Sequence, residues 1–342
     1  MVLISWLTGL DQIAPWLPFF VSIIFVGLPH GAADWLLLGP ASRCSAIGTF
    51  LLYSLVGALV GLLAWLYPLP VILGFLLLTI LHFGIADERD LRSFEASPSG
   101  SHQHPLFRYG GVGRIAVFLV LICYLNPEGV AMLFGRVGTL LGSAGLKESL
   151  VQSLTVASPV ALFLACIAWA LSLLGTIANR LRDGFFAIRK ERLEVEIGEG
   201  ILLIGAAFLL DPVFAVGAYF LGWHAARHCF LLANLFPAPT VERPGYAQSL
   251  LHVHLQAWPL YLPVVPLMLG LVWANGSLRS PLDWVASLLV VCIIFTVPHH
   301  VIVERRLPAI RKVRGKAAKA IPNHARSASI REIPEGKTPV TR

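Results

Sequence analysis

The sequence predicts an all-α, polytopic integral membrane helical bundle with about nine transmembrane helices, and three observations carry that prediction. Hydrophobic residues make up 56% of the chain and charged residues 13%, about half the ~25% charge of a soluble domain. The apolar residues gather in runs that approach the ~20 helical residues needed to cross ~30 Å of hydrocarbon. Hydrophobicity within each run is continuous rather than alternating in twos, which selects helices over a closed barrel, the other structure that satisfies every backbone group in lipid.

The first run, 13–38, lacks the basic start of a cleavable signal peptide and is expected to remain as the first span. Runs at 46–67 and 70–86 follow, the second short for a span, then 112–134 and 156–179. The run at 196–211 is also short, and the break at Asp211-Pro212 before 213–234 leaves a count of eight open. The last two runs are 255–274 and 281–303. With the C-terminus cytoplasmic, the inside loops of a nine-span chain hold eleven Lys and Arg, among them Arg89, Arg114 and Arg189. The outside loops hold only Arg136, Lys147 and Arg279, so the positive-inside bias places the N-terminus outside.

Eleven of the 26 Lys and Arg lie in the segment from Arg305 to Arg342. This divides the chain into a transmembrane catalytic domain, 1–304, and a basic cytoplasmic tail, 305–342, expected to be disordered and drawn to anionic membrane lipids. The net charge of +7 therefore points to lipid and not to nucleic acid. Five scattered cysteines show no metal-ligand spacing and are expected to be packing residues.

Four short stretches put histidine inside these runs: Pro29-His30-Gly31-Ala32-Ala33-Asp34, His82-Phe83-Gly84-Ile85-Ala86-Asp87, Trp223-His224-Ala225-Ala226-Arg227-His228 and Pro298-His299-His300. An ionisable imidazole in a bilayer core is a functional candidate. The nine-span topology puts His30, His82, His224, His228 and His299 all toward the cytoplasmic ends of odd-numbered spans, a coincidence of depth that hydropathy did not require. His224 and His228 are four apart, on one helical face, as two ligands of one metal would be. His30 and His82 close the set from neighbouring helices, and imidazole suits Fe, Zn, Cu or Ni. Asp34, Asp87 and Glu304 each follow a histidine by about a turn and are candidates to accept its second N–H. Arg227 is expected to pair with an intramembrane carboxylate such as Asp34 or Asp87, while Glu196 and Glu199 either snorkel or reach the site. His102, His104 and His324 read as solvated, His252 and His254 as part of a 237–254 loop, and His300 as the weaker of its pair.

A lone membrane histidine commonly just bonds a neighbouring helix, but four stretches at one depth favour a shared centre. One HxxxH among otherwise single histidines fits a mononuclear site better than a binuclear one, and the absence of HExxH argues against a zinc protease of that type.

The ordered blocks Gly27-Leu28-Pro29-His30-Gly31-Ala32-Ala33-Asp34, His82-Phe83-Gly84-Ile85-Ala86-Asp87, Trp223-His224-Ala225-Ala226-Arg227-His228 and Pro298-His299 resemble the Brp/Blh family of membrane β-carotene 15,15′-dioxygenases, from residue 20 to about 304. The resemblance implies an Fe(2+)-dependent enzyme of the cell membrane that splits the central double bond of β-carotene, or a related carotenoid, with O2 to give two molecules of retinal, a product that a rhodopsin can take up. It puts the iron ligands on His30, His82, His224 and His228, with His299 in support. Trp35 stands where the family often has His or Leu, which bears on the substrate entrance. Phe83, Tyr219, Phe220 and Trp223 are candidates to line a polyene tunnel, or equally to pack the bundle.

The principal competing reading is a transporter or channel with an intramembrane His/Asp metal or proton path. It predicts internal repeats and broken helices; no repeat is evident, and only Asp211-Pro212 hints at a break. A retinal-binding photoreceptor would need a lysine buried mid-span, and every lysine lies in a loop or beyond the last span.

Overall fold

Proline and a capping side chain decide where several helices of this bundle begin. The computed structural model describes residues 15–32, 34, 37, 43–93, 110–143, 145–182, 190–236, 246–274 and 280–320, and these are helical, with no strand among the described residues. Helix α1 covers Leu17–Ala32 and contains a π turn at Ile23–Gly27. It is followed by α2 (Arg43–Leu66), α3 (Pro68–Ser93), α4 (Gly110–Leu125), α5 (Pro127–Leu140), α6 (Leu146–Arg182) and α7 (Lys190–Leu209). Helix α8 comprises Pro212–Tyr219, a second π turn at Phe220–His224, and Ala225–Leu235; α9 (Tyr246–Ala274) and α10 (Pro281–Ala320) complete the series.

Asn126 caps α5 by accepting from Gly129 N–H at 3.0 Å, and Asp211 caps α8 by accepting from Val213 and Phe214 N–H at 2.8 and 3.2 Å. In α5, α8 and α10 a proline occupies the first position, where its missing N–H costs nothing. The expected fourth run, 112–134, is therefore two helices: Asn126-Pro127 ends α4 and starts α5, and the axes differ by 95°. Gly142, at φ 78°, takes the left-handed turn that closes α5.

Helix stands in every one of the nine expected runs, but length and apolarity divide them. Among the described residues three helices are long and apolar enough to cross a membrane, at Pro68–Arg89, Leu146–Ala178 and Pro281–Leu307; a fourth is gained only if the bent pair α4–α5 counts as one span. Glu194, Glu196 and Glu199 stand in the first half of α7, and α1 and α8 are interrupted, which keeps these below that threshold. His252 and His254, expected in a loop, lie within α9, and α10 continues to Ala320, past the expected boundary at 304. Trp35, His102, His104 and His324 lie outside the described residues, as does the tail beyond 320.

Of the apolar window of α10, 56% is buried, against 17% for α6 and 22% for α3. Helix α10 is thus central, while α6 turns Val156, Val160 and Phe163 outward, as a lipid-facing helix does. The core runs from Phe19 and Ile23 of α1 through Ile115 and Phe118 of α4 to Val285 and Leu289 of α10.

Helices α3 and α4 cross at backbone contact. A Cβ on Gly84 would strike the Val112 backbone, and one on Gly111 would strike the Gly84 carbonyl oxygen; small residues at such crossings let membrane helices approach closely. Gly84→Val is therefore expected to cost about 1–3 kcal/mol by overpacking, read as a lower thermal midpoint in detergent. Gly74→Ala, on the same helix with nothing within 4 Å of the added Cβ, is expected to leave the midpoint unchanged or raise it.

Candidate metal centre

Two of the four histidine-bearing helices reach the centre through a π turn. Such turns are rare and recur at functional sites. In α1 the turn ends at Gly27, three residues before His30; in α8 it ends on His224 itself. His82 comes from α3, and His299 and His300 from α10.

The structure brings His30, His82, His224, His228 and His299 into one buried cluster, each 6% exposed or less. The His30 ring centroid lies 4.4 Å from that of His228, 4.6 Å from His299, 5.0 Å from His224 and 6.0 Å from His82. The His82 ring is 5.0 Å from His224 and 4.9 Å from His299. Ligand nitrogens of His30, His82 and His299 all fall within 4.8 Å of one another. Nε2 of His30 and Nε2 of His299 are 3.0 Å apart, and two nitrogens bound at ~2.1 Å to one metal at right angles are separated by about the same distance. Nδ1 of His30, Nε2 of His82 and Nε2 of His224 are buried without a hydrogen-bond partner. Buried polar atoms are seldom left so, and uncharged imidazole nitrogens converging from four helices are the donor set that a first-row transition metal takes. The residues fit a metal.

Around this cluster, polar partners fix the rings. Nδ1 of His299 meets both Asp34 carboxylate oxygens, at 2.9 and 3.0 Å, and the Tyr53 hydroxyl also donates to Asp34. That is the carboxylate–histidine pair that orients a metal ligand. Nδ1 of His82 is 3.1 Å from Nδ1 of His300, which leaves Nε2 of His82 facing the cluster. Glu304 is held at both oxygens by Arg89, at 2.6 and 2.7 Å.

Beside the cluster, four charged side chains pair, three of them buried and Arg227 partly exposed. Arg114 of α4, 1% exposed, reaches Glu199 of α7 at 3.1 Å and Asp87 of α3 at 3.4 Å. Arg227 of α8 reaches Glu199 at 2.5 Å. The Trp223 indole N–H donates to Glu199 at 3.1 Å, and the Tyr219 hydroxyl donates to Asp87 at 3.0 Å. Two guanidinium groups meet two carboxylates here, as buried charges require, and two further buried carboxylates, Glu88 and Glu196, stand together at Gly110.

Several expected pairings are thus exchanged. Asp34 serves His299 across the bundle and not His30 on its own helix; Asp87 serves Arg114 and Tyr219 and not His82. Arg227 takes Glu199, and Glu304 takes Arg89. Phe83 and Phe220 line the cavity described next, whereas Tyr219 and Trp223 turn their polar atoms into the charged network. The sequence reading missed Arg114 and Tyr53, and undervalued His300. Only the run Arg114 to Asp87 carried a signal, a basic residue and an acid each near the end of an apolar run.

A cavity of about 250 Å³ opens onto the cluster. His30, His82 and His299 form one end; the remaining walls are apolar, with Phe19, Phe75, Leu133 and Phe134 away from the imidazoles. The Phe83 ring lies 4.0 Å from that of His224, at the junction of cavity and cluster.

A family model described as "Beta-carotene 15,15'-dioxygenase" matches residues 21–305, which includes every histidine of the cluster. The chain is similar to "Probable beta-carotene 15,15'-dioxygenase Blh" of Halobacterium salinarum, at 26% identity over 311 residues, covering 86% of this chain and 85% of that one. It is also similar to "Beta-carotene 15,15'-dioxygenase" of an uncultured marine bacterium, at 39% identity over 106 residues, covering 29% of this chain and 35% of the other. No solved structure matches.

Removing one partner of a buried charge network costs about 3–5 kcal/mol. Arg114→Met is accordingly expected to lower the thermal midpoint and yield in detergent sharply, and adding Asp87→Asn to recover part of the loss. Asp34→Ala is expected to weaken metal retention about 10–100-fold, the usual effect of deleting a carboxylate behind a ligating histidine, measured by metal content after dialysis against graded chelator.

Proposed function

The chain belongs to the beta-carotene 15,15'-dioxygenase family, and from that premise we propose that it cleaves the central 15,15′ double bond of β-carotene with O2 to give two molecules of all-trans-retinal. The observation that carries the reading is the joining of an apolar cavity to a buried imidazole cluster. An apolar polyene suits those walls, and a cluster of metal-ligand type at one end is where a bond of that polyene would be exposed to oxidation. The long, outward-facing apolar helices support residence in a membrane; the cell membrane, with the N-terminus outside and the C-terminus in the cytoplasm, is the reading taken from the resemblance and the positive-inside bias of the sequence.

The residues that would hold the metal are His30, His82, His224 and His228, with His299 close enough to join them. Iron bound there supplies the redox chemistry that activates O2, which redox-inert zinc does not.

The chain's own residues do the rest. Asp34 fixes the tautomer of His299 by accepting at Nδ1, so its Nε2 faces inward. The contact of His300 Nδ1 with His82 Nδ1 occupies that atom of His82 and leaves its Nε2 for the cluster. Phe83 and Phe220 hold the polyene against the cluster, and the apolar walls exclude water, so reactive oxygen species meet only the substrate. The ion pair of Arg89 with Glu304 lies beside His300, at the end of the site away from the cavity. Substrate would enter from the bilayer, which dissolves both a carotenoid and O2, and retinal would leave the same way toward a rhodopsin.

Expression in bacteria that accumulate β-carotene is expected to convert it to retinal, detected in extracts by chromatography. His224→Ala is expected to reduce retinal below detection while leaving β-carotene intact. Purified protein is expected to carry about one iron per chain, to lose activity on chelation, and to recover it with Fe(2+) but not Zn(2+). Wild-type protein that holds iron and leaves β-carotene untouched would show that the substrate is another one.

A further inference from the structure

The cavity has a measurable depth and a built floor. On α1, Phe19 precedes His30 by eleven residues; on α10, Leu289 precedes His299 by ten; both line the cavity together with the histidines. At ~1.5 Å of rise per residue the far end lies about 15 Å from the imidazoles along the bundle. What closes that end is α5. It leaves α4 at 95° and so runs across the bundle instead of along it, presenting Gly129, Val130, Leu133 and Phe134 to the cavity from one face.

The floor is fixed from several sides. Arg136 of α5 is ion-paired to Asp283 at the start of α10, sixteen residues before His299 on the same helix. Gly138 packs against Leu146 of α6. Phe134 is buried, and its ring meets Phe75 of α3 edge-on at 6.5 Å between centroids. A carotenoid is a rigid rod with a bulky ring at each end. Pushed ring-first into a closed, apolar tube, it stops when the ring meets the floor, and the length of tube then decides which double bond lies at the open end.

We propose that α5 is the stop against which one terminal ring of the carotenoid seats, and that the distance from Val130, Leu133 and Phe134 to the histidine cluster selects the double bond that is cut. This rests on the carotenoid-cleaving reading above and goes beyond it, since that reading does not say what makes the cleavage central. Half of a β-carotene, from central bond to ring, has a reach of the same order as the cavity's depth. Cleavage at any double bond consumes one O2 and leaves one carbonyl group on each fragment, an aldehyde at a CH carbon and a ketone at a methyl-bearing carbon, so moving the substrate changes the fragments and not the stoichiometry.

The test is the product profile of β-carotene cleavage by wild type, Phe134→Ala and Val130→Trp, each purified with its lipid and checked for iron content. Wild type is expected to give retinal alone. Deepening the floor with Phe134→Ala lets the ring seat further in, and the share of unequal carbonyl fragments, aldehydes and ketones together, is expected to rise at least tenfold. Raising it with Val130→Trp is expected to give the opposite shift, with the seated fragment shorter than retinal, or at least a tenfold loss of β-carotene turnover with iron retained. Phe75→Leu removes the same aromatic contact from the other side and serves if Phe134→Ala does not fold. Folded, iron-loaded variants that still yield only retinal at the wild-type rate overturn the proposal. Wild type that gives no aldehyde at all overturns the carotenoid reading instead, and the floor with it.

Discussion

Burying a guanidinium group in an apolar bundle is costly unless carboxylates meet it, and the site is arranged around one such burial. Arg114 is 1% exposed, and its two partners come from different helices, Asp87 from α3 and Glu199 from α7. Arg227 of α8 brings a second positive charge to Glu199. Four helices are thereby held in one register, since sliding any of them strands a charge in a medium that cannot solvate it. Two of the four, α3 and α8, carry His82, His224 and His228. The backbone contact of Gly84 with Val112 and Gly111 makes the arrangement possible, because it brings α3 and α4 close enough for Asp87 and Arg114 to meet.

This division of labour separates positioning from chemistry. Charged groups lie beside the cluster and uncharged imidazoles within it, so a cation seated among the imidazoles keeps its charge for the reaction. The carboxylates that come near stand outside the cluster: Asp34 behind His299, and Glu304, close to His82 and His300, paired with Arg89. The cavity then joins the cluster on its apolar side, which keeps polyene and charge apart.

Much of this was legible in the sequence, and the limits have physical causes. The i, i+4 spacing of His224 and His228 follows from helical period and can be counted along a chain; the meeting of five histidines was expected from a nine-span topology, of which three or four spans reach the needed length and apolarity among the described residues. Which carboxylate serves which histidine depends on how helices are rotated about their axes, and the pairing of Asp34 with His299 joins residues far apart in sequence. Arg114 was counted among loop charges although it is the third residue of the run 112–134; nothing local says that two acids from other helices will meet it. The division of the fourth run into α4 and α5 did have a signal, Asn126-Pro127, a helix cap followed by the residue that best starts a helix. Continuous hydrophobicity hid it, since apolar composition does not distinguish a helix that crosses the bilayer from one that turns beneath the bundle.

The two π turns carry a consequence for how this chain can vary. Each is followed by histidine on the same helix, His30 after Ile23–Gly27 and His224 at the end of Phe220–His224. A helix with 3.6 residues per turn rotates by about 100° for each residue gained or lost. Deleting one residue from the α-helical stretch ahead of either turn would carry every later side chain about a quarter-turn away from its partners. In α8 that would move His224, Arg227 and His228 together. His224 and Trp223 apart, substitution inside those ten positions is a matter of packing, whereas the number of α-helical residues ahead of each histidine is fixed, so α1 and α8 have freedom of composition without freedom of length.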